Sequence, residues 1–200
     1  MPPARRFVLA SASPARLALL RGAGFAPELI VSGIDEGAVT APDLPGLVTA
    51  LAEAKAGAVT ARPDVAGAVV VGCDSLLDVD GEAYGRPATA EEARARLTRL
   101  RGRAAVLRTG HCVVDTVTGG TASAAAATEV RFAAFADAEL DAYLATGEPL
   151  RVAGSFTLDG RSGPFIEGIT GDHGNVIGLS LPLLRRLLGR LDLTVMDLWT

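Results

Sequence analysis

The sequence predicts an α/β fold built on a mixed sheet. Three observations carry that expectation. Strand-like and helix-like segments alternate through the first half of the chain. Ala68 to Gly72 is a continuous apolar run, the pattern of a strand covered on both faces. Ala104 to Asp115 and Ala122 to Ala133 read as two strands joined by a loop carrying Gly119-Gly120, so the middle of the chain is hairpin-like.

The elements follow in order. Arg5 to Ala10 reads as a first strand. A helix follows, opened by Ser11 or Ser13 as N-cap with Pro14 in its first turn, faced by Leu17, Leu20 and Ala23 and ended by Gly22 and Gly24. Glu28 to Val31 is a short strand. Leu44 to Val59 reads as a helix with Leu47, Val48, Leu51 and Ala58 on one side, and the apolar strand after it is expected to end at Asp74. Thr89-Ala90-Glu91-Glu92 is a capping box for a third helix, with Ala93, Leu97 and Leu100 inward. Asp137 is the expected cap of a fourth helix, carrying Leu140, Tyr143 and Leu144 and stopping at Gly147. Arg151 to Thr157 reads as a strand. A Gly-rich stretch from Gly160 to Gly178 precedes a last helix capped by Ser180, with Pro182 in its first turn. There is no repeat and no linker, so the 200 residues read as one domain over 1–200.

Composition narrows the function classes. A 49% hydrophobic, 21% charged chain is not a disordered one, and a net charge of −4 without a basic patch argues against a nucleic-acid duplex as partner. Cys73 and Cys112 form neither a disulfide framework nor a zinc set and read as buried thiols. The apolar run after Met1-Pro2-Pro3-Ala4-Arg5-Arg6 is too short for a signal peptide, and no run reaches membrane-spanning length. The expected location is therefore the cytoplasm.

Four places put polar groups at the ends of elements. Ser11-Ala12-Ser13-Pro14-Ala15-Arg16 offers hydroxyls, free backbone N–H groups and a guanidinium at a helix N-terminus, which suits phosphate or serves as an ordinary cap. Asp35-Glu36 is either a hard-cation anchor or a polar turn. Lys55, the single lysine among nineteen basic residues, lies one turn beyond Leu51 on the apolar side of its helix, where an ammonium either snorkels or finds an anion. Asp74 closes a doubly buried strand, and a carboxylate there costs desolvation unless a cation pairs with it. The same fourth place is followed by Arg86, between Gly85 and Pro87, placed for bidentate phosphate contact. Walker A, dinucleotide-binding and nucleophile-elbow patterns are absent. His111 and His173 lack metal-ligand spacing, and His173 reads as a surface residue.

Taken in order, these pieces resemble the Maf family of nucleotide pyrophosphatases. The matching segments are Leu9-Ala10-Ser11-Ala12-Ser13-Pro14-Ala15-Arg16, Asp35-Glu36, Leu51-Ala52-Glu53-Ala54-Lys55-Ala56, Gly72-Cys73-Asp74-Ser75 and Gly85-Arg86-Pro87. Gly154-Ser155-Phe156 with Asp159-Gly160 follows, and then Asn175-Val176-Ile177-Gly178-Leu179-Ser180-Leu181-Pro182. The resemblance implies an inosine-triphosphatase type of α/β fold: a mixed curved sheet flanked by helices, with two lobes around a cleft. It implies hydrolysis of nucleoside triphosphates to monophosphate and pyrophosphate with a divalent metal cation, Mg²⁺ or Mn²⁺, and a homodimer.

By match to the motif, Asp74 is the expected proton acceptor, with Lys55 and Glu36 as its catalytic companions and Glu36 and Asp74 as metal anchors. Ser11, Ser13, Arg16 and Arg86 are expected at the phosphates and Asp159 at the base. Arg86 stands where the family usually carries Lys. Asp159 stands where it carries Gln or Glu, versions that resemble enzymes for pyrimidine triphosphates and 7-methyl-GTP respectively. The competing reading is a non-enzymatic nucleotide-binding regulator of cell division, which would bind nucleotide without releasing pyrophosphate.

Overall fold

The computed structural model describes residues 5–199; Thr200 and residues 1–4 of the amino-terminal stretch read above lie outside the described residues. The described elements, in chain order, are β1 (Arg6–Leu9), α1 (Pro14–Gly22), β2 (Glu28–Leu29), α2 (Leu44–Thr60), β3 (Ala68–Val79), β4 (Glu82–Tyr84), α3 (Ala90–Leu100), β5 (Ala104–Asp115), β6 (Thr121–Phe132), α4 (Asp137–Ala145), β7 (Ile166–Thr170), α5 (His173–Ile177) and α6 (Leu181–Gly189). The seven strands form one mixed sheet in the order β2-β1-β3-β5-β6-β7, with β4 paired to β3. β1 runs parallel to both β2 and β3, whereas β3–β4 and β6–β7 are antiparallel.

The chain divides into two compact units. The first is built from the chain up to Asp74, from Thr109–Ala126 and from Gly178 onward; the second from Ser75–Arg108 and Ala127–Ile177.

In the first unit the sheet is covered on both faces, as a continuous apolar strand requires. Side chains alternate along a strand. Phe7 and Leu9 of β1 and Val69, Val71 and Cys73 of β3 therefore share one face, packed with Leu20 of α1 and Leu183, Leu184, Leu187 and Leu188 of α6. Val8, Ala68 and Val70 share the other, packed with Ala52, Ala56 and Val59 of α2. Two glycines set the approach of α2. A Cβ on Gly72 would lie 2.9 Å from the Ala56 nitrogen and closer still to the Ala52 carbonyl oxygen. One on Gly110 would lie 2.6 Å from the Thr49 nitrogen. Only residues without a side chain let the helix backbone rest on the strands at this distance.

In the second unit Leu77, Val79, Leu97, Leu100, Leu107, Phe132, Phe156 and Tyr143 form a separate apolar core. α3 buries Ala93, Leu97 and Leu100, and Thr89 caps it as the sequence predicts.

Four expectations are corrected. β3 does not end at Asp74 but continues to Val79 and turns back into β4. The turn is Asp80-Gly81, both at positive φ, the requirement of a tight hairpin turn. The buried face of α2 is Val48, Leu51, Ala52, Lys55, Ala56 and Val59, with Leu47 and Ala58 only half-buried at its flanks. Arg151 to Thr157 is not a strand but two short 3₁₀ turns, because Gly154 and Ser155 both take positive φ, which no strand admits. Finally, Asp137 is the first residue of α4, whose cap position is Ala136; Glu139 reaches back to the Ala136 N–H at 2.6 Å.

Candidate active site

α2 delivers Lys55 and β3 delivers Asp74 to the same place. Asp74 shares its face of β3 with Ala68, Val70 and Gly72, the face that meets α2. The close approach allowed by Gly72 and Gly110 places the Lys55 ammonium against the Asp74 carboxylate. Both residues are buried, at 8% and 7% exposure. Lys55 Nζ donates to Asp74 Oδ1 and lies 2.7 Å from Glu36 Oε1. The ammonium does not snorkel; it is gripped by two carboxylates.

Glu36 arrives on a single 3₁₀ turn, Glu36–Ala38, opened by Asp35, whose Oδ1 accepts from the Gly37 N–H at 3.0 Å. Of the acidic pair, Asp35 shapes the turn and Glu36 faces the lysine, keeping about half of its side chain, 48%, open to solvent. Burial pushes the Asp74 carboxyl above its ordinary pKa, against the pull of Lys55 and Arg16.

At the start of α1, Ser13 is the N-cap and accepts from the Arg16 N–H at 3.3 Å. Arg16 is buried at 9% exposure, an unusual place for a guanidinium on a first turn. Its Nε donates to the Gly178 carbonyl at 2.7 Å and its Nη1 to Ser11 Oγ at 3.1 Å. Ser11 Oγ also accepts from the Ser13 N–H at 3.1 Å. The Arg16 charge is therefore held in one orientation, and it acts on Asp74. Gly178, at φ +122, is needed here, since a Cβ would lie 3.1 Å from Arg16 Nε.

The structure brings Glu36, Lys55 and Asp74 together, with Ser11, Ser13 and Arg16 arranged around the start of α1. Arg86 and Asp159 belong to the second unit, and both are exposed. The Arg86 loop is clamped by α3: Arg96 donates to the Gly85 carbonyl at 2.8 Å, and Glu92 accepts from the Ala88 N–H at 2.6 Å.

His111 has a structural part that carries no motif. It is fully buried, and its Nε2 accepts from the Ser180 N–H at 2.8 Å. Nδ1 therefore bears the proton and donates to the Thr109 carbonyl at 3.0 Å. The imidazole ties β5 to the cap of α6. The available signal was a lone histidine inside an apolar strand, which needs a partner when buried. His173 is exposed, as its Gly-rich surroundings imply.

Two carboxylates sharing one ammonium leave a surplus of negative charge on hard oxygen donors. That donor set suits a divalent cation of the Mg²⁺ type, which takes one or two protein carboxylates and fills its remaining positions with water and phosphate. Among the described residues no group of three or more His, Cys, Asp and Glu side chains converges to make a complete protein cage.

Comparison with known proteins places the chain in a family. Residues 6–191 match the Maf family, described as Maf-like protein. The chain is 65% identical over 197 residues to the nucleoside triphosphate pyrophosphatase of Streptomyces coelicolor, covering 98% of this chain and 96% of the relative. It is 63% identical over 198 residues to the protein of that name in Streptomyces avermitilis, covering 99% and 96%. To that of Salinispora tropica it is 52% identical over 198 residues, covering 98% and 88%. The chain belongs to the Maf family.

Proposed function

We propose that this protein hydrolyses nucleoside triphosphates to the monophosphate and pyrophosphate, with a divalent cation held by Glu36 and Asp74. The observation that carries the reading is the buried Lys55 ammonium gripped by two carboxylates, beside an Arg16 guanidinium fixed by Ser11 and Gly178. The full-length relatives named nucleoside triphosphate pyrophosphatase support it.

A triphosphate carries several negative charges, and fixed positive groups offset the charge that develops as its bridge breaks. Lys55 and Arg16 supply two such groups. Lys55 holds phosphate oxygens as a compact point charge, and Arg16 as an oriented fork. Asp74 takes the proton of the attacking water, as a carboxylate held beside the Lys55 ammonium at the phosphate-binding place. The cation, when bound, offsets charge on the phosphate oxygens as a Lewis acid. Ser13 opens the helix N-terminus toward phosphate, and Ser11 keeps Arg16 aimed. Arg86 and Asp159 are assigned to phosphate and base by their place in the family motif. The reaction needs no covalent nucleophile. We extend the proposal to a single functional domain acting in the cytoplasm, and to a homodimer, the state that the family resemblance implies. No helix among the described residues is long and apolar enough to cross a membrane.

The test is a screen of nucleoside triphosphates with Mg²⁺ or Mn²⁺, detecting pyrophosphate and monophosphate, with excess EDTA as control. Pyrophosphate release abolished by chelator is the expected result. Orthophosphate as first product, full activity in EDTA, or nucleotide binding without turnover would overturn the reading.

A further inference from the structure

We infer that Glu148 is a positioning residue for nucleobase selection: its carboxylate pins both ends of the loop whose tip is Asp159. The inference rests on the proposed reading of Asp159 as a base contact. It concerns the second unit alone.

Glu148 comes into place because Gly147, two residues past the end of α4 and at φ +68, turns the chain out of the helix. One oxygen, Glu148 Oε1, then meets three donors. Thr157 Oγ1 donates to it at 2.6 Å, the Arg161 N–H at 3.0 Å and the Tyr143 hydroxyl at 3.3 Å. Thr157 and Arg161 flank Leu158-Asp159-Gly160 on either side, so a single atom closes this loop. Ser162, buried at 1% exposure, adds a second tie: its hydroxyl accepts from the Thr157 N–H and donates to the Thr157 carbonyl, each at 2.7 Å.

Gly160 records the same closeness. A Cβ there would sit nearest to Thr157 Oγ1 and 2.8 Å from Glu148 Oε1, so this hydrogen-bonded pair occupies the space a side chain would need. Asp159 itself is exposed; besides these ties its segment is held by the Gly160 carbonyl, which accepts from the Gly163 N–H at 3.1 Å. Discrimination by a hydrogen-bonding side chain depends on holding it to a fraction of an ångström. Glu148 supplies that rigidity while touching no substrate.

The experiment measures kcat and KM for ATP, GTP, CTP and UTP in wild type and in Glu148→Ala, Glu148→Gln, Thr157→Val, Asp159→Ala and the double variant Glu148→Ala with Asp159→Ala, with thermal melts alongside. In Glu148→Ala the kcat/KM ratio between the best and worst base should shrink by about tenfold, the loss falling mainly in KM for the preferred base. Glu148→Gln keeps an oxygen acceptor and should restore most of the ratio. Thr157→Val, a milder change that removes one donor, should move the ratio in the same direction by less. The double variant should discriminate no worse than Asp159→Ala, because a residue acting through another adds nothing once that one is gone.

Wild-type discrimination in folded Glu148→Ala and Thr157→Val, while Asp159→Ala loses it, overturns the inference and leaves the base-reading role of Asp159 standing. Unchanged discrimination in Asp159→Ala overturns both. Absence of pyrophosphate release by wild type overturns the proposed function and this inference with it.

Discussion

Gly72→Ala is the sharpest test of how the fold makes the site. The added Cβ would lie 2.9 Å from the Ala56 nitrogen and nearer still to the Ala52 oxygen, where ordinary contact needs 3.4–4 Å. Both obstructing atoms are helix backbone, so no rotamer relieves the clash, and α2 has to withdraw from β3 by about 1 Å. Overpacking of this kind costs ~3 kcal/mol. For a chain of this size that lowers the melting temperature by roughly 6–12 °C. The withdrawal also pulls Lys55 off Asp74, and a misplacement of that size costs about 10²-fold in turnover. Thermal melts and pyrophosphate release read the two effects. Gly57→Ala is the control, since it lies on the same helix, exposed, with nothing within 4 Å of its Cβ. It should stabilise by about 0.5–1 kcal/mol and leave turnover intact. Wild-type melting and turnover in Gly72→Ala, or equal losses in Gly57→Ala, would refute the claim that close helix–strand approach builds the site.

Three further predictions follow from named contacts. Lys55→Ala leaves Asp74 and Glu36 without their shared cation and should lower kcat by about 10²-fold, with Lys55→Arg losing less; wild-type kinetics in Lys55→Ala means the ammonium is structural only. Arg5, together with the Val117 N–H and the Thr118 hydroxyl, holds the Asp115 carboxyl down at about 2. The folded pKa lies below the unfolded one, so the stabilisation is present above about pH 4 and lost as pH falls toward 2. Urea melts should show Asp115→Asn about 1–2 kcal/mol less stable than wild type at neutral pH, with the gap closing in acid; a gap that persists at low pH contradicts the assignment. Burial pushes the Cys73 and Cys112 thiols up to about 11 and about 12, so neither should react with an alkylating reagent at neutral pH until the protein unfolds; rapid labelling of native protein would count against this.

Much of the fold was legible because local chemistry agreed with tertiary structure. Ser13-Pro14, Thr89 with Glu92 and Ser180 mark helix starts through hydrogen bonds that reach only three residues, and each is made as the spacing predicts. The extension of β3 past Asp74 was missed, although Asp80-Gly81 followed by Glu82-Ala83-Tyr84 carries its signal, since an Asp-Gly pair closes a hairpin. β7 was hidden. Ile166-Glu167-Gly168-Ile169-Thr170 carries no clean alternation, and the Arg131 guanidinium of β6 lies over Gly168, 2.6 Å from where a Cβ would sit. Ser155 defeats propensity outright: a non-glycine residue at φ +65, fully buried, is imposed by its surroundings.

The site divides along the same line. Lys55 was legible as a lone ammonium on an apolar helix face, and Asp74 as a carboxylate on a doubly covered strand. Period-two alternation puts Asp74 on the face that meets α2, so their pairing follows from local rules once helix and strand are known to touch. Glu36 breaks that chain of inference. It sits on an isolated 3₁₀ turn that Asp35 shapes locally, and the folded path after β2 brings it to Lys55. Arg16 breaks it further, because its anchor is the Gly178 carbonyl, 162 residues away. Spacing rules speak to residues one turn or one strand apart. A buried guanidinium that needs a backbone acceptor from the far end of the chain can be suspected from sequence only as a motif, and its physical reason appears when Gly178 is seen to leave room for it.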